Sequence, residues 1–328
     1  MTLTSQELFA VLSSIDETGL DSLQLIDAER LAAQYYPHLD PAQPALVLSL
    51  SGAALALRIG PALLRAYPAQ HEVALITDGR RRSIPLAELA DQVVPSQAAC
   101  LFIPALPAPA SLAALQDIVA HLRAPEGCPW DRELTWAKLR AHLLEESYEL
   151  LDALDKADPA KVAEELGDLL LQVGMETQIA TEEGLFTLPT VIEGIVGKLI
   201  RRHPHVFGDA VVSGTSDVLA NWEEIKRAER ESNGDRRSPL SGVPKGLPAL
   251  SQADAYLDRM SRLGSIPASD APWRALAEAA ADAPLSATTA GEVLFALVAW
   301  LRARGVDAES ALRETNARYA AQVELAQG

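Results

Sequence analysis

Four carboxylates are placed symmetrically about one short turn of this 328-residue chain. Glu149 and Glu165 each lie eight residues from Ala157, and Glu146 and Asp168 each lie eleven residues from it. If two antiparallel helices meet at that turn, each carboxylate faces its counterpart, and the outer pair lies one helical turn beyond the inner pair. Four carboxylates in one space would repel one another unless a cation lay among them. Oxygen ligands of this kind suit Mg²⁺ or Mn²⁺.

The surroundings of these carboxylates are apolar. A single acidic side chain on a helix is ordinarily solvated, and this is the structural explanation for any one of them. Here leucines border the acidic residues on both segments, at positions 143, 144, 150 and 151 and at positions 166, 169, 170 and 171. Because an unpaired buried carboxylate is costly, we expect a metal ion or a cationic side chain among them.

A ferritin-like di-iron site is the rival interpretation of acidic residues on packed helices. Such a site needs Glu-x-x-His on two helices. Here Asp168 stands at the fourth position, and we expect His142 to fall on a different helix face from Glu149. All-oxygen ligation therefore favours Mg²⁺ over iron. Glu145, the carboxylate least committed to metal, is the candidate base for a metal-activated water.

A basic run follows the acidic segments. Lys198 and Arg202 are four residues apart on one helix face, Arg201 lies beside them, and Pro204 ends the helix. One explanation is the favourable interaction of cations with the C-terminal end of a helix dipole. The other is a clamp for polyphosphate oxygens that lie against the metal.

Two tryptophans have roles that the sequence leaves open or only suggests. Trp222, with Lys226 four residues later, either packs in the core or contacts a nucleotide together with that lysine. Trp130, in a Cys-Pro-Trp-Asp loop, is interpreted as a packing anchor.

An acidic metal site beside a basic clamp indicates metal-dependent hydrolysis of a phosphoanhydride. The glycines nearby lack P-loop spacing, so water activated by metal is the expected nucleophile.

The composition excludes several classes of protein. The formal net charge of −17 argues against a general binder of nucleic acid or of anionic membranes. Cys100 and Cys128 fit neither a metal motif nor a disulfide framework. The N-terminal residues do not resemble a signal peptide, and no run of about 18 apolar residues predicts a membrane span. We therefore expect a cytoplasmic protein.

The order of secondary-structure signals predicts a mainly α protein with a small α/β region at its start. Apolar runs bounded by turn residues predict strands at 45–51, 72–77 and 99–106, with a helix over 53–67. A Pro/Ala linker follows. Helical signals then dominate, with Ser111, Thr135 and Asp158 as predicted N-caps. The predicted helices cover about 111–121, 135–154, 158–184, 189–202 and 217–231, with more after 246 and a polar linker at 230–241.

These motifs resemble the MazG family of nucleoside triphosphate pyrophosphohydrolases over about residues 112–232. The resemblance lies in Gly-Cys-Pro-Trp-Asp at 127–131, Glu-Glu-x-x-Glu at 145–149, Glu-Leu-Gly-Asp at 165–168, the basic run at 198–207, and 222–226. It implies an all-α fold, Mg²⁺ dependence, hydrolysis of NTPs or dNTPs to the monophosphate and pyrophosphate, and dimers formed through the helical bundle. It also implies metal ligands at Glu146, Glu149, Glu165 and Asp168, and nucleotide or phosphate contacts at Lys198, Arg202, Trp222 and Lys226.

The resemblance divides the chain into three predicted domains. Residues 109–232 are the catalytic MazG domain. Residues 233–328 resemble a degenerate second copy that begins near Ser238-Pro239. Only Glu278 and Glu292 remain there as candidate ligands, so we expect no metal site, although Val293, Leu294, Leu297 and Val298 should pack. Residues 1–108 resemble, more weakly, the C-terminal half of a tetrapyrrole methylase domain, without the half that would bind S-adenosylmethionine.

Together these observations predict a Mg²⁺-dependent enzyme that removes unwanted nucleoside triphosphates. The alternative is a non-catalytic nucleotide-binding or scaffold protein that keeps its carboxylates for structure. Pyrophosphate release in the presence of Mg²⁺ distinguishes the two.

Overall fold

The computed structural model describes residues 11, 13, 21–77, 80–93, 98–232, 240, 243–262, 278 and 286–327. The chain divides into two compact units, Met1–Val191 and Ile192–Gly328. The predicted fold class is confirmed in outline, since most described residues are helical and a small sheet precedes the main helices. The three-domain division at residues 108 and 232, the tandem arrangement and the methylase-like origin of the first region stay predictions.

The first unit opens with a mixed sheet of five strands in the order β1-β2-β5-β3-β4. Strands β1 and β2 pair in parallel, whereas β2–β5, β5–β3 and β3–β4 are antiparallel. The strands are β1 Gln24–Asp27, β2 Ala45–Ser51, β3 Glu72–Thr77, β4 Arg80–Pro85 and β5 Ala98–Ile103.

The central strands are buried on both faces, which explains their nearly continuous apolar sequence. In β3, Val73 and Leu75 point into one apolar cluster, and Ala74 and Ile76 point into another. Sequence reasoning therefore found β2, β3 and β5. It missed β1 and β4, and β4 carries exposed arginines at positions 80–82, as suits an edge strand that must avoid further pairing.

Short helices complete this region: α1 Ala28–Ala32, α2 Ala53–Leu63 and α3 Leu89–Gln92, with a 3₁₀ turn at Leu86–Glu88. Helix α2 is shorter than predicted, because the chain turns after Leu63 and residues 64–66 form no helix. The Asp78-Gly79 turn lies outside the described residues.

Four helices follow in the first unit: α4 Leu112–Arg123, α5 Pro129–Arg132, α6 Trp136–Asp155 and α7 Pro159–Glu182. The three predicted N-caps are confirmed. The side chains of Ser111, Thr135 and Asp158 each accept a hydrogen bond from a backbone N–H in the first turn of their helix. These caps fix where α6 and α7 start, and so fix the positions of the carboxylates along them.

A tight turn at Ala157 joins α6 to α7. Ala157 has a φ of 51°, in the left-handed region that side chains disfavour. Its N–H donates to the Leu154 carbonyl, and the N–H of Asp158 donates to the Ala153 carbonyl. These bonds close the end of α6, and Pro159 begins α7 at once.

The remaining helices are α8 Leu188–Arg202, α9 Pro204–Phe207, α10 Thr215–Ser232, α11 Ala249–Arg262, α12 Ala287–Arg302 and α13 Ala308–Gln327. Helices α8 and α10 confirm the predicted helices to within two residues at each end. Among the described helices, none has the combination of length and apolar character needed to cross a membrane.

The predicted packing stripe of the C-terminal region is only partly correct. Val298 on α12 is buried with Leu257 and Ala308, whereas Leu294 is 52% exposed. Glu292 is exposed on the same helix. Ser238-Pro239, much of the polar linker and residues 276–281, apart from Glu278, lie outside the described residues.

A small apolar core and one arginine hold α4, α6 and α7 together. The core consists of Val119, Leu134, Leu139, Met175 and Ile179. Beside it, the Arg123 side chain is 7% exposed, and its Nε and Nη2 donate to the two carboxylate oxygens of Glu182 at 2.9 and 2.7 Å. Arg123 Nη1 also donates to the carbonyls of Asp131 and Leu134. One buried side chain thus ties the end of α4 to the end of α7 and to the loop before α6.

We expect Arg123→Met to lower the free energy of unfolding by about 2–4 kcal/mol, because it leaves two carbonyls and a carboxylate without their donor. Glu182→Gln should cost only about 1 kcal/mol, since the Glu182 side chain is 37% exposed. The Arg123 guanidinium lowers the pKa of Glu182 below its ordinary value of 4.5. The difference between wild type and Glu182→Gln should therefore be full above pH 4.5 and shrink as pH falls through the lowered value. Urea unfolding across this pH range measures it, and a constant difference would contradict the ion pair.

We expect Ala157→Gly to raise the free energy of unfolding by about 1 kcal/mol, because glycine adopts the left-handed conformation without strain. The matched control is Ala163→Gly in the second turn of α7, an exposed helical position where glycine should lower stability by about 1 kcal/mol. Thermal and urea unfolding compare the two variants. A loss of stability in both would contradict the strained turn.

Candidate functional site

Three of the four predicted metal ligands converge between α6 and α7. One carboxylate oxygen each from Glu146, Glu165 and Asp168 lies within 4.8 Å of the others. Glu149 is not one of this converging set, although it lies one turn from Glu146 on α6. The two antiparallel helices therefore face each other as the symmetric spacing about Ala157 predicts. The role of these residues as ligands stays a prediction.

Glu165 is the most constrained member of the set. It is 1% exposed, and neither of its oxygens accepts a hydrogen bond of acceptable geometry from any described residue. Lys161 Nζ lies 2.8 Å from Oε1 of Glu165 as an ion pair, and Oε2 is left without a donor among the described residues. A buried carboxylate oxygen in this state calls for a further cation or donor.

Lys161 was missed by the sequence reasoning. Its Nζ also lies 3.0 Å from Glu164, so it bridges a buried and an exposed carboxylate. Glu165 first, and Glu164 second, raise the pKa of Lys161 above its ordinary value, which keeps the amine protonated. The signal was present in the sequence, because Lys161 and Glu165 are four residues apart on one helix face.

Mutual repulsion acts across the acidic set, that is, the three converging carboxylates together with Glu149 and Glu145. Burial, followed by the charge of Asp168, raises the pKa of Glu146. The charge of Glu165, followed by burial, raises the pKa of Glu149, although Glu149 is outside the converging set. Exposed Glu145 adds to both shifts. A bound divalent cation would reverse the sign of this field and favour the ionised forms.

The converging set fits a hard divalent cation. It offers only oxygen donors, and the buried Glu165 has an oxygen with no donor among the described residues. Acidic side chains on surfaces often cluster without a metal. Here the burial of Glu165 makes the cluster costly in the absence of a counter-charge.

The carboxylates belong to the first unit, and the predicted basic residues belong to the second. There, Arg201 and Arg202 at the end of α8 both bind Glu229 of α10. The Arg201 and Arg202 guanidinium groups lie 2.7 and 2.6 Å from the Glu229 oxygens. The hydrogen bonds from Arg202 are the largest cause of the lowered pKa of Glu229. Two guanidinium groups facing one carboxylate leave an excess of positive charge at this point.

Trp222 packs against this basic cluster. The Arg202 guanidinium carbon lies 5.6 Å from the centre of the Trp222 ring, and His203 meets the same ring edge-on with centroids 4.8 Å apart. Lys226 pairs with Glu223 at 3.0 Å. Lys198 is exposed on α8 and forms no ion pair among the described residues. The structure thus brings Arg201, Arg202 and Trp222 together, whereas Lys226 has its own partner.

Two interpretations of the sequence near the acidic set are wrong. Trp130 is not a packing anchor, because it is 60% exposed, with its ring 6.0 Å from that of His142. His142 also does not fall on a different face from Glu149. The two are seven residues apart on the continuous helix α6, and a heptad returns to within about 20° of the same face.

Comparison with known proteins supports a single family. A family profile described as the MazG nucleotide pyrophosphohydrolase domain matches residues 134–207, which include both carboxylate helices. The chain is 39% identical over 218 residues to the nucleoside triphosphate pyrophosphohydrolase of Escherichia coli (strain K12), covering 62% of this chain and 82% of that protein. It is 40% identical over 214 residues to the nucleoside triphosphate pyrophosphohydrolase/pyrophosphatase MazG of Thermotoga maritima, covering 62% of this chain and 81% of that protein.

A longer relative covers more of this chain. The uncharacterized protein YabN of Bacillus subtilis (strain 168) is 39% identical over 243 residues, which are 71% of this chain but only 49% of YabN. The chain therefore spans about half the length of that relative. Because the matches include the helical hairpin with its acidic set and most of the length of named pyrophosphohydrolases, the chain belongs to the MazG family of nucleotide pyrophosphohydrolases.

Proposed function

We propose that this protein hydrolyses nucleoside triphosphates, with ribose or deoxyribose, to the monophosphate and pyrophosphate in a reaction that depends on Mg²⁺. The observation that carries the proposal is the buried Glu165, held beside Glu146 and Asp168 with an oxygen that has no donor among the described residues. The names of the Escherichia coli and Thermotoga maritima relatives support the same reaction class. Such an enzyme clears unwanted nucleotides, and we expect it to act in the cytoplasm.

In this proposal Glu146, Glu149, Glu165 and Asp168 hold the metal. Bound Mg²⁺, or Mn²⁺ in its place, neutralises polyphosphate charge and lowers the pKa of the attacking water. Glu145 lies exposed on the same helix and is the proposed base that accepts a proton from that water. Lys161 orients the Glu165 carboxylate through its 2.8 Å ion pair.

The proposed contacts to the polyphosphate and nucleotide are Lys198, Arg201, Arg202, Trp222 and Lys226. Arg202 is prepared for this role because Glu229 fixes one edge of its guanidinium group, and Trp222 lies beside it. A planar guanidinium group presents donors on more than one edge, so a phosphate can bind Arg202 while Glu229 remains in place. Lys198 has an amine that is not engaged in an ion pair with any described residue.

We also propose that the protein is a homodimer that binds neither nucleic acid nor membranes. Many large apolar side chains are exposed on the carboxylate helices, and α8 has no buried residue. The exposed ones on α6 and α7 are Trp136, Leu143, Leu144, Tyr148, Leu151, Leu154, Leu166, Leu170 and Val173. Apolar surface on this scale is typical of an interface, and a second copy of the chain is the proposed partner.

The proposal also includes the two flanking regions of the chain. Residues 233–328 are proposed to be a degenerate second MazG copy, and residues 1–108 a methylase-like remnant without methyltransferase activity.

We expect Glu165→Gln and Asp168→Asn to lower dNTP hydrolysis by at least about 100-fold, because even the outer partners of metal ligands contribute 10–100-fold. Asp152→Asn on α6 is the matched control, since Asp152 is exposed and pairs with Lys156 instead of the acidic set. The assay follows release of pyrophosphate with Mg²⁺, and EDTA should abolish it. Intact triphosphate after long incubation of the wild type would favour the non-catalytic alternative, and release of single phosphate would contradict cleavage to the monophosphate and pyrophosphate.

We expect Arg202→Met to raise the KM for dNTPs about 10- to 100-fold, because a charge-assisted hydrogen bond contributes about 1.5–3 kcal/mol. The matched control is Arg227→Met on α10, where Arg227 pairs with Glu224 at 2.7 Å on the exposed face. Steady-state kinetics at constant ionic strength separates KM from kcat. Equal effects of the two substitutions would contradict a specific contact by Arg202.

A further inference from the structure

Lys161 lies against the buried member of the converging set. Its Nζ is 2.8 Å from Oε1 of Glu165 and 3.0 Å from Oε1 of Glu164. The three side chains differ greatly in exposure, since Lys161 is 48% exposed, Glu164 63% and Glu165 only 1%. The ammonium group of Lys161 therefore reaches from the solvent onto a carboxylate that water does not reach.

Glu165 is closed to a metal ion in this arrangement. Both of its carboxylate oxygens are buried, whereas Glu146 and Asp168 are partly exposed. An ion that approaches those two carboxylates from the solvent can bind Glu165 only after a covering group has moved. The room required is larger than a bare ion, because Mg²⁺ usually keeps several of its water molecules when it binds to a protein.

Lys161 is a covering group that can move. Its contact with Oε1 of Glu165 is an ion pair without the geometry of a hydrogen bond, so charge holds it there and no directional bond does. Its Nζ already has a second partner, the exposed Glu164, at nearly the same distance. A lysine on a flexible four-carbon stem can leave Glu165 and remain paired with Glu164 while α7 stays in place.

The charge of Lys161 also opposes a metal ion. Among the described residues, no other cationic side chain forms an ion pair with the converging set. The ammonium group compensates for the buried carboxylate, but it repels a divalent ion that comes equally close. Its field reaches α6 as well. The charge of Glu165 is the largest cause of the raised pKa of Glu149, and the charge of Lys161 acts against that rise.

We propose that Lys161 is an internal counter-ion that covers Glu165 until a divalent ion binds and then moves to Glu164. The inference rests on the proposed function for the identity of the ion and for its place among the converging carboxylates. Lys161 is thus a positioning residue for Glu165 before the ion arrives and a competitor of the ion as it binds. The site fills only at a metal concentration that is high enough to displace the ammonium group.

The test depends on two effects of opposite sign in one variant. Electron paramagnetic resonance of free Mn²⁺, with the full chain and no nucleotide, measures the Kd for Mn²⁺. We expect Lys161→Met to bind Mn²⁺ about 10-fold more tightly, because one positive charge near the ion is removed. The same variant should unfold at a temperature about 5 °C lower in EDTA, because Glu165 loses its counter-charge.

Lys156→Met is the matched control. Lys156 is an exposed lysine at the end of α6 that pairs with Asp152 at 2.6 Å, so its loss removes the same charge from the same hairpin. Its Kd for Mn²⁺ should stay within about twofold of the wild type, and its unfolding temperature within about 2 °C. Unchanged or weaker Mn²⁺ binding by Lys161→Met would overturn the inference, because a lysine that only orients Glu165 for the ion would lower the affinity when removed.

Two further variants keep the test decisive. Glu164→Gln removes the second partner of Lys161 and should weaken Mn²⁺ binding about threefold, but it should have no effect when combined with Lys161→Met. An equal effect in both backgrounds would mean that Glu164 acts on the ion directly, and the displacement would be refuted. If Lys161→Met does not fold in EDTA, Lys161→Gln replaces it, since an uncharged amide can still donate to Glu165. It should also tighten Mn²⁺ binding.

The same measurements separate the inference from the proposed function. If Lys161→Met binds Mn²⁺ more tightly while the wild type releases no pyrophosphate from dATP, the proposed hydrolysis fails and the counter-ion stands. If the wild type releases pyrophosphate but Lys161→Met does not bind Mn²⁺ more tightly, the hydrolysis stands and the counter-ion fails. If the wild type binds no Mn²⁺ without a nucleotide, the counter-ion is overturned whatever the activity.

Discussion

The burial of the Glu165 carboxylate is the main constraint on the helical hairpin formed by α6 and α7. A carboxylate that is 1% exposed is stable only if positive charge compensates for its lost hydration. Lys161 supplies part of that charge at one oxygen, while Glu146 and Asp168 add further negative charge at short range. The two helices stay packed despite this repulsion because the apolar core around Met175 and the Arg123–Glu182 salt bridge hold them from outside the acidic set. A divalent cation would supply the positive charge that the side chains alone leave lacking.

The side chains between α6 and α7 form successive layers along the hairpin, and the turn at Ala157 fixes the order of these layers. The left-handed Ala157 and the Asp158 cap fix both helices in register, so each step of one helical turn pairs a new set of side chains. From the turn outward, the order is Lys161, then the converging carboxylates, then the apolar core with Leu139 and Met175. Arg123 joins the far end of this series to the loop that carries Trp130. A change in register by one residue would disrupt every layer together.

The sequence allowed the helices and the acidic set to be predicted because both depend on local rules. Caps at Ser111, Thr135 and Asp158 are one-residue signals, and symmetry about a turn gives the facing pairs. The exposed Trp130 could not be predicted, because its exposure depends on how Arg123 and Gly127 hold α5 and the turn before it. Strand β4 was missed for a similar reason. Three arginines form a strand only because β3 supplies its pairing partner along one edge.

The basic cluster of the second unit has the opposite balance of charge to the acidic set. There, two guanidinium groups share one carboxylate, Glu229, so the local charge is in excess and the side chains are fixed before any ligand arrives. The acidic set is short of positive charge, and the basic cluster has a surplus of it. Glu229 and Trp222 already hold the Arg202 side chain in the folded protein. A ligand that binds Arg202 therefore loses little further affinity to the ordering of that side chain.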